Sequence, residues 1–281
     1  VFGYADLPDD WADAYVSWWG SRHHFDVDPA WLVYSSGVIP TISSVVRKLT
    51  TPAEKVVVLT PSYNIFFNSI VNNGRYVLEC PLRYREPVYD IDFEALEAAL
   101  ADPQTSLMIL CNPHNPVGKI WDRETLLRIT ELCVKHSVLV LSDEIHCDLT
   151  DPGKEYIPYA SVSPEAAQIS ITCVAPTKAF NLAGIQSSAV IVPNKTLRHR
   201  VWRALNTDEV GEASILGALA PSAAFKQGGA WLDAMRAYVF ENKQYVRQYI
   251  AENIKEIKVV PSEATYLLWM DCRGVCEDST E

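Results

Sequence analysis

The fold of this protein is decided by residues 106–146, SLMILCNPHNPVGKIWDRETLLRITELCVKHSVLVLSDEIH. SLMIL (106–110) and SVLVL (137–141) are nearly continuous apolar runs, as expected for strands buried on both faces. Between them, Asp122 is a suitable N-cap for a helix. The apolar stripe of that helix consists of Leu126, Leu127, Ile129 and Leu132. A strand, a helix and a strand in this order predict a parallel βαβ unit.

The same alternation extends in both directions from this unit. Further apolar runs rich in β-branched residues are KVVVL (55–59), QISITCV (168–174) and SAVIV (188–192). The intervening segment DFEALEAAL (92–100) has its apolar residues at helical spacing. We therefore predict an α/β fold with three layers, in which helices cover both faces of a mostly parallel sheet.

The pattern changes after about residue 195, where helical sequence dominates. An amphipathic stretch at 231–254 is followed by IKVV (257–260) and by the strand-like TYLLWMD (265–271). We predict a large domain over residues 1–230. We expect a connecting helix and an incomplete small α+β domain over residues 231–281.

Composition excludes several classes of function. The 281 residues are 48% hydrophobic and carry a net charge of -11, so nucleic-acid binding has no electrostatic basis. No apolar run reaches the length of a membrane span. Seven cysteines, an odd number, indicate reduced thiols and a cytoplasmic location. Cys272 and Cys276 lack a second ligand pair, which disfavours a closed structural zinc site.

Polar side chains follow three of the predicted strands. Ligands of open α/β sheets bind at the carboxyl ends of the strands. In chain order these ends carry an asparagine, an aspartate with a histidine, and a lysine. The residues are Asn115, Asp143, His146 and Lys178. Singly, each has an ordinary explanation as a turn, cap, structural or surface residue. Together they predict a binding site at one edge of the sheet.

These segments also carry a family resemblance. NPHNPVG (112–118), SDEIHCDL (142–149) and APTKAFNLAG (175–184) resemble the signature segments of fold-type I pyridoxal 5'-phosphate (PLP) enzymes. More narrowly, the chain resembles the MalY/PatB group, the cystathionine β-lyase-like C–S lyases of the class I/II aminotransferase superfamily. The segments VFGYADLPDD, YSSGVIPTI and EATYLLWMDCR extend the resemblance over nearly the whole sequence.

The resemblance implies roles for the residues at the strand ends. Lys178 would form the Schiff base with PLP, and its freed amine would remove the α-proton of a small amino-acid substrate. Asp143 would pair with the pyridine nitrogen and keep it protonated. Asn115 would donate a hydrogen bond to the 3'-oxygen of the ring. His146 would support that oxygen, at a position where many aminotransferases carry tyrosine.

A phosphate site is expected after the strand-like segment WLVYSS. Gly37 precedes a helical segment, and free N–H groups at a helix N-terminus bind anions. The resemblance implies that the backbone amides of Val38 and Ile39 hold the PLP phosphate, with Thr177 as a further contact.

Two tyrosines complete the implied cofactor site. Tyr63 matches the aromatic residue that stacks on the pyridine ring in the family, although an ordinary core tyrosine is the alternative. Tyr4 matches a tyrosine that reaches the phosphate of the neighbouring subunit, which implies a homodimer with shared active sites.

The reaction is less constrained than the cofactor. Gln186 stands eight residues after Lys178, where aspartate-type aminotransferases usually carry arginine. With His146, it favours a lyase that cleaves cystathionine or related S-substituted cysteines to a thiol, pyruvate and ammonia. An aminotransferase on the same scaffold and a regulatory, non-enzymatic protein are the alternatives.

Members of the group begin before the FGY segment and continue past the LLWMD strand. We expect the arginine that binds the substrate α-carboxylate, and other substrate contacts, to come from such segments, because no arginine here matches that role.

Overall fold

The computed structural model describes residues 3–276. The strands are β1 (Leu32–Ser35), β2 (Lys55–Thr60), β3 (Tyr76–Pro81), β4 (Arg83–Arg85), β5 (Val88–Asp90), β6 (Thr105–Cys111), β7 (Leu139–Asp143), β8 (Ser170–Val174), β9 (Ser188–Ile191), β10 (Lys258–Val259) and β11 (Met270–Asp271). The α-helices are α1 (Trp11–His23), α2 (Val38–Leu49), α3 (Ile65–Val71), α4 (Phe93–Leu100), α5 (Arg123–Lys135), α6 (Pro164–Ile169), α7 (Lys195–Thr207), α8 (Ile215–Gln227) and α9 (Gly229–Asn253). No helix within this range is long and apolar enough to cross a bilayer.

The central sheet has seven strands in the order β1-β9-β8-β7-β6-β2-β3. The four pairs from β8 to β3 are parallel, whereas β9 is antiparallel to both of its neighbours. The prediction of a mostly parallel sheet is confirmed. Strands β8, β7, β6 and β2 therefore present their carboxyl ends side by side at one edge.

Both faces of the sheet are covered by helices. Along β6, Leu107 and Ile109 pack with α2 on one face, while Met108 and Leu110 pack with α4 and α5 on the other. Successive strand residues point to opposite faces, so a strand covered on both faces must be apolar at every position. This explains why the buried strands form continuous apolar runs rather than alternating ones.

Helix α1 supplies an aromatic part of the core on the face that α4 and α5 also cover. Its tryptophans and tyrosine pack against Phe225 of α8 and against Val174 and Ile191 of the sheet. Trp18 lies with its ring 5.1 Å from that of Phe225. Nε1 of Trp18 also donates to Oδ1 of Asp148 at 2.9 Å, which fixes α1 near the chain segment that follows β7.

The segment 265–271 was predicted as a strand, but only Met270–Asp271 forms one, paired with β10. At its start, Thr265 has a φ of 66°, in the left-handed region, which interrupts an extended chain. An apolar run becomes a strand only where a partner edge is available, and β10 contributes two residues. The domain boundary at residue 230 stays a prediction, and residues 277–281 lie outside the described residues.

A buried ion pair joins α9 to the loop after β7. Nζ of Lys243 lies 2.5 Å from Oδ1 of Asp151 and 3.3 Å from the carbonyl oxygen of Thr265. Burial lowers the pKa of Lys243, although the hydrogen bond with Asp151 acts in the opposite direction.

We expect Lys243→Ala to lower the free energy of unfolding by about 3–5 kcal/mol, because Asp151 is left buried without its counter-charge. Chemical denaturation measures the change. The control is Lys154→Ala, whose pair with Glu263 has side-chain exposures of 51% and 37%, and a change below about 1 kcal/mol is expected there. Equal losses in the two variants would contradict the prediction.

Candidate active site

Tyr63, Asn115, Asp143 and Lys178 all follow strands of one contiguous part of the sheet. Their strands β2, β6, β7 and β8 are neighbours and run in the same direction. The loops that carry these four residues therefore emerge at the same edge. Sequence spacing predicted this arrangement of loops, and the strand order confirms it.

Asp143 is the last residue of β7 and is only 4% exposed. Its Oδ1 accepts a hydrogen bond of 3.1 Å from the backbone N–H of Ile145. Burial raises the pKa of Asp143 to about 6, while that hydrogen bond and the charge of Lys178 act to lower it. A buried carboxyl group with one weak donor is well suited to bind a further N–H group.

Lys178 lies in a tight turn after β8. The N–H of Phe180 donates to the carbonyl of Pro176 at 2.9 Å, and that of Leu182 to the carbonyl of Thr177 at 2.8 Å. These bonds hold the backbone on both sides of Lys178. Within residues 3–276 the ammonium group has no carboxylate within salt-bridge distance, so it is available for other chemistry.

His146 is 4% exposed, and its Nδ1 has no hydrogen-bond partner among the described residues. Burial, together with the charge of Lys178, lowers the pKa of His146 to about 4. The ring is therefore neutral near pH 7. Its edge meets the ring of Tyr266 at 5.7 Å between centroids. A buried polar atom without a partner is costly, so Nδ1 is free to pair with a ligand.

The loop that carries Asn115 is held on both sides. His114 pairs with Lys119 in a short bridge, and its Nε2 lies 2.8 Å from the carbonyl of Pro61 in the loop of Tyr63. Gly118 has a φ of 76°, and a Cβ there would come within 2.7 Å of the carbonyl oxygen of Ala264. The half-buried Asn115 amide has no partner in the described part of the chain.

Helix α2 begins at the same edge of the sheet, because β1 is parallel to β8. Its N-cap, Gly37, provides no side-chain hydrogen bond. Pro40 has no N–H group, and the N–H of Thr41 already donates to the carbonyl of Gly37 at 3.1 Å. The free donors of the first turn are therefore those of Val38 and Ile39, the two predicted from the sequence.

Three predicted residues have side chains that form no hydrogen bond within residues 3–276. Tyr63 is 36% exposed, with its ring edge-on to Phe66. Tyr4 is fully exposed. Thr177 is buried next to Lys178, and its hydroxyl forms no hydrogen bond within residues 3–276. Each is free to contact a ligand or a second chain.

Sequence reasoning missed Glu144, which is fully buried beside Asp143. It accepts hydrogen bonds from the Tyr156 hydroxyl at 2.5 Å, the Ser142 hydroxyl at 2.8 Å and the Tyr159 N–H at 2.9 Å. Burial raises the pKa of Glu144 to about 7, and these donors act to lower it. Glu144 ties the end of β7 to the segment 156–159, and its donors lie too far along the chain for a sequence motif to reveal them.

A cleft of about 340 Å³ lies beside Lys178 and was also missed. Its walls include Trp231, Met235 and Val239 of α9, together with Tyr266. Trp231, at the start of the amphipathic stretch 231–254, was the available signal in the sequence. The cleft gives Lys178 access from an apolar side.

Comparisons with known proteins agree with this geometry. The aminotransferase class I and II family matches residues 1–280. Cystathionine beta-lyase PatB of Bacillus subtilis is 40% identical over 271 residues, which are 96% of this chain and 70% of that protein. Cystalysin from Treponema denticola, whose crystal structure contains a pyridoxal 5'-phosphate cofactor, has a TM-score of 0.95 and 33% identity. The match covers 98% of this chain and 70% of cystalysin. A PLP-bound putative aminotransferase from Clostridium difficile has a TM-score of 0.94 and 37% identity. That match covers 98% of this chain and 70% of the Clostridium difficile protein.

Proposed function

The chain belongs to the aminotransferase class I and II family, and from this we propose that it is a PLP-dependent C–S β-lyase. It cleaves cystathionine or a related S-substituted cysteine to a thiol, pyruvate and ammonia. The main supporting observation is that Asn115, Asp143 and Lys178 follow β6, β7 and β8, which are neighbouring parallel strands whose carboxyl ends lie at one edge of the sheet. The 40% identity to a cystathionine beta-lyase supports this reaction.

Several polar groups of the site have no hydrogen-bond or ion-pair partner among residues 3–276 that satisfies them, and they match the ring, phosphate and aldehyde groups of PLP. Asp143 is a buried carboxyl group of the kind that pairs with a pyridine N–H. The free N–H groups of Val38 and Ile39 fit a phosphate at a helix N-terminus. Nδ1 of His146, buried without a partner, fits a ring oxygen. Lys178 supplies the amine that attaches the cofactor.

Three further residues complete the proposed cofactor site. The Asn115 amide would donate to the 3'-oxygen of the ring, and the exposed face of Tyr63 would stack on the pyridine. The Thr177 hydroxyl would donate to the phosphate. Gly37 supports this phosphate site because a Cβ there would lie 3.2 Å from Cδ of Pro40, crowding the helix start.

When bound, PLP supplies an electron sink for negative charge that develops at the substrate Cα. Lys178 acts as the general base that takes the proton from Cα. The Cβ–S bond then breaks, and its electron pair leaves with the sulfur as a thiolate. The remaining three-carbon fragment takes up water and is released as pyruvate and ammonia. Asp143 would hold the cofactor by accepting a hydrogen bond from the pyridine N–H, and its carboxylate would keep that nitrogen positively charged.

His146 is expected to assist without titrating. Because burial lowers its pKa to about 4, it is neutral from about pH 5 upward. We expect His146→Asn to lower kcat about tenfold through loss of one hydrogen bond to the cofactor, while the pH profile of kcat/KM between pH 5.5 and 8 keeps its shape. A limb of the profile near pH 6.5 that disappears in the variant would contradict the assigned neutral state.

The reaction is tested by following pyruvate. Purified holoenzyme is incubated with L-cystathionine and with S-alkyl cysteines, with and without added keto acid. Pyruvate and thiol are expected in equal amounts without the keto acid. Amino transfer that requires the keto acid, with no pyruvate released, would establish the aminotransferase alternative instead. Absence of pyruvate from every S-substituted cysteine would overturn the lyase proposal.

We also propose that the enzyme acts in the cytoplasm as a homodimer. The full exposure of Tyr4 supports a contact with a second subunit. The seven free cysteines support a reducing compartment. Light scattering after size exclusion should give twice the mass of one chain, and a monomer that retains full activity would contradict the shared site.

A further inference from the structure

A second cluster of reactive side chains lies outside the proposed cofactor site. Nε2 of His23, at the end of α1, is 2.9 Å from Oδ1 of Asp148. The ligand atoms of His23, Cys147 and Asp148 all lie within 4.8 Å of one another. Cys147 and Asp148 are buried, and the His23 side chain is 9% exposed. We propose that these three residues bind a zinc ion.

The cluster opens onto a cavity that is separate from the cleft beside Lys178. This cavity has a volume of about 270 Å³. Its wall also includes His24, Glu155 and Tyr156, together with the cationic side chains of Arg22, Lys154 and Arg236, which favour an anion in this space. A metal held by the cluster would therefore face a space that admits water or a small anion as a fourth ligand. Three protein ligands with one open position are the usual arrangement of an accessible zinc site.

The donor set selects zinc rather than a harder ion. It consists of one imidazole nitrogen, one sulfur and one carboxylate oxygen. Calcium and magnesium prefer oxygen ligands alone, whereas zinc accepts all three of these atoms. A thiolate from Cys147 and a carboxylate from Asp148 would also balance the two positive charges of the ion. Burial raises the pKa of the Cys147 thiol, so binding must displace one proton from sulfur.

The surroundings of Asp148 already orient it as a ligand. Nε1 of Trp18 donates to its Oδ1 at 2.9 Å, and His23 contacts the same oxygen. Oδ2 has no hydrogen bond within residues 3–276 and remains for a metal. The ring of Tyr156 packs edge-on against His23 at 5.0 Å between centroids. Such outer contacts hold ligands in place and raise metal affinity.

Hydrogen bonding without a metal explains only part of this cluster. A hydrogen-bonded trio of Trp18, His23 and Asp148 explains the contacts of Oδ1. It leaves Oδ2 unused and accounts for Cys147 only as a small apolar side chain in the aromatic core around α1. Coordination engages all three side chains, at the cost of replacing the hydrogen bond between His23 and Asp148.

The test measures zinc and cobalt binding by the holoenzyme. All measurements use a Cys272→Ser/Cys276→Ser variant, because these two partly exposed thiols could also bind the metal. One zinc ion per chain is expected in competition with a chelating indicator. Cobalt should produce a thiolate-to-cobalt charge-transfer band that Cys147→Ser abolishes. His23→Gln should weaken zinc binding by at least about tenfold.

Zinc binding below one ion per chain in this background would overturn the proposal. So would a charge-transfer band that persists in Cys147→Ser. Cys147 is buried, so the serine variant could fail to fold. In that case His23→Gln decides alone, and an unchanged zinc affinity would refute the site. None of these readouts depends on pyruvate release, so their failure is separate from a failure of the proposed lyase activity.

Discussion

Replacing Lys178 with alanine is expected to lower pyruvate release about ten-thousand-fold. The variant loses the base that takes the Cα proton, and general-base catalysis alone contributes up to about that factor. It also loses the covalent attachment that positions the cofactor. Because Lys178 has no carboxylate within salt-bridge distance among the described residues, its removal breaks no ion pair, and the fold should be retained.

One measurement and one control variant tie this effect to the amine of Lys178. Borohydride reduction followed by intact-mass analysis should fix the cofactor to the wild-type chain and not to Lys178→Ala. The matched control is Lys195→Ala, an exposed lysine at the start of α7, which should leave both readouts unchanged. A Lys178→Ala variant that keeps more than a tenth of wild-type activity would refute the assigned role.

Replacing Asp143 with asparagine is expected to lower kcat about a hundred- to a thousand-fold, as for loss of one preorganised electrostatic contact. The amide has the shape of the carboxylate but cannot hold a positive charge on the pyridine nitrogen. Burial raises the pKa of Asp143 to about 6. The ionised carboxylate therefore destabilises the folded chain above that pH, and the neutral asparagine should not reduce stability.

The rate must be measured at saturating PLP, with cofactor affinity determined separately by spectroscopic titration. The control is Asp122→Asn, because Asp122 caps α5 through the N–H of Thr125 and asparagine caps equally well. A kcat that is unchanged at saturating PLP would show that Asp143 serves binding alone.

The strand ends that carry the candidate site could be predicted from sequence because their signals are local, whereas the cofactor was implied by the family resemblance of the segments that follow them. The continuous apolar run SVLVL indicates a buried strand, and Asp143 follows this run within two residues. The same holds for the strands before Asn115 and Lys178. Parallel strands bring their carboxyl ends together, so local patterns were enough to place these loops at one edge. The free amides of Val38 and Ile39 likewise follow from a helix start.

Other features depend on partners that are distant in the chain. His23 meets Asp148 across 125 residues, and no periodicity links them. The run SAVIV predicts a strand but not that β9 is antiparallel to its neighbours. TYLLWMD is strand-like, yet most of it lacks a partner edge. By itself the sequence determined the buried strands and the residues at their ends, because burial and turn chemistry act within a few residues. Only the tertiary structure decided the Glu144 network and the His23–Cys147–Asp148 cluster, because hydrogen bonds and ligand geometry depend on which segments pack together.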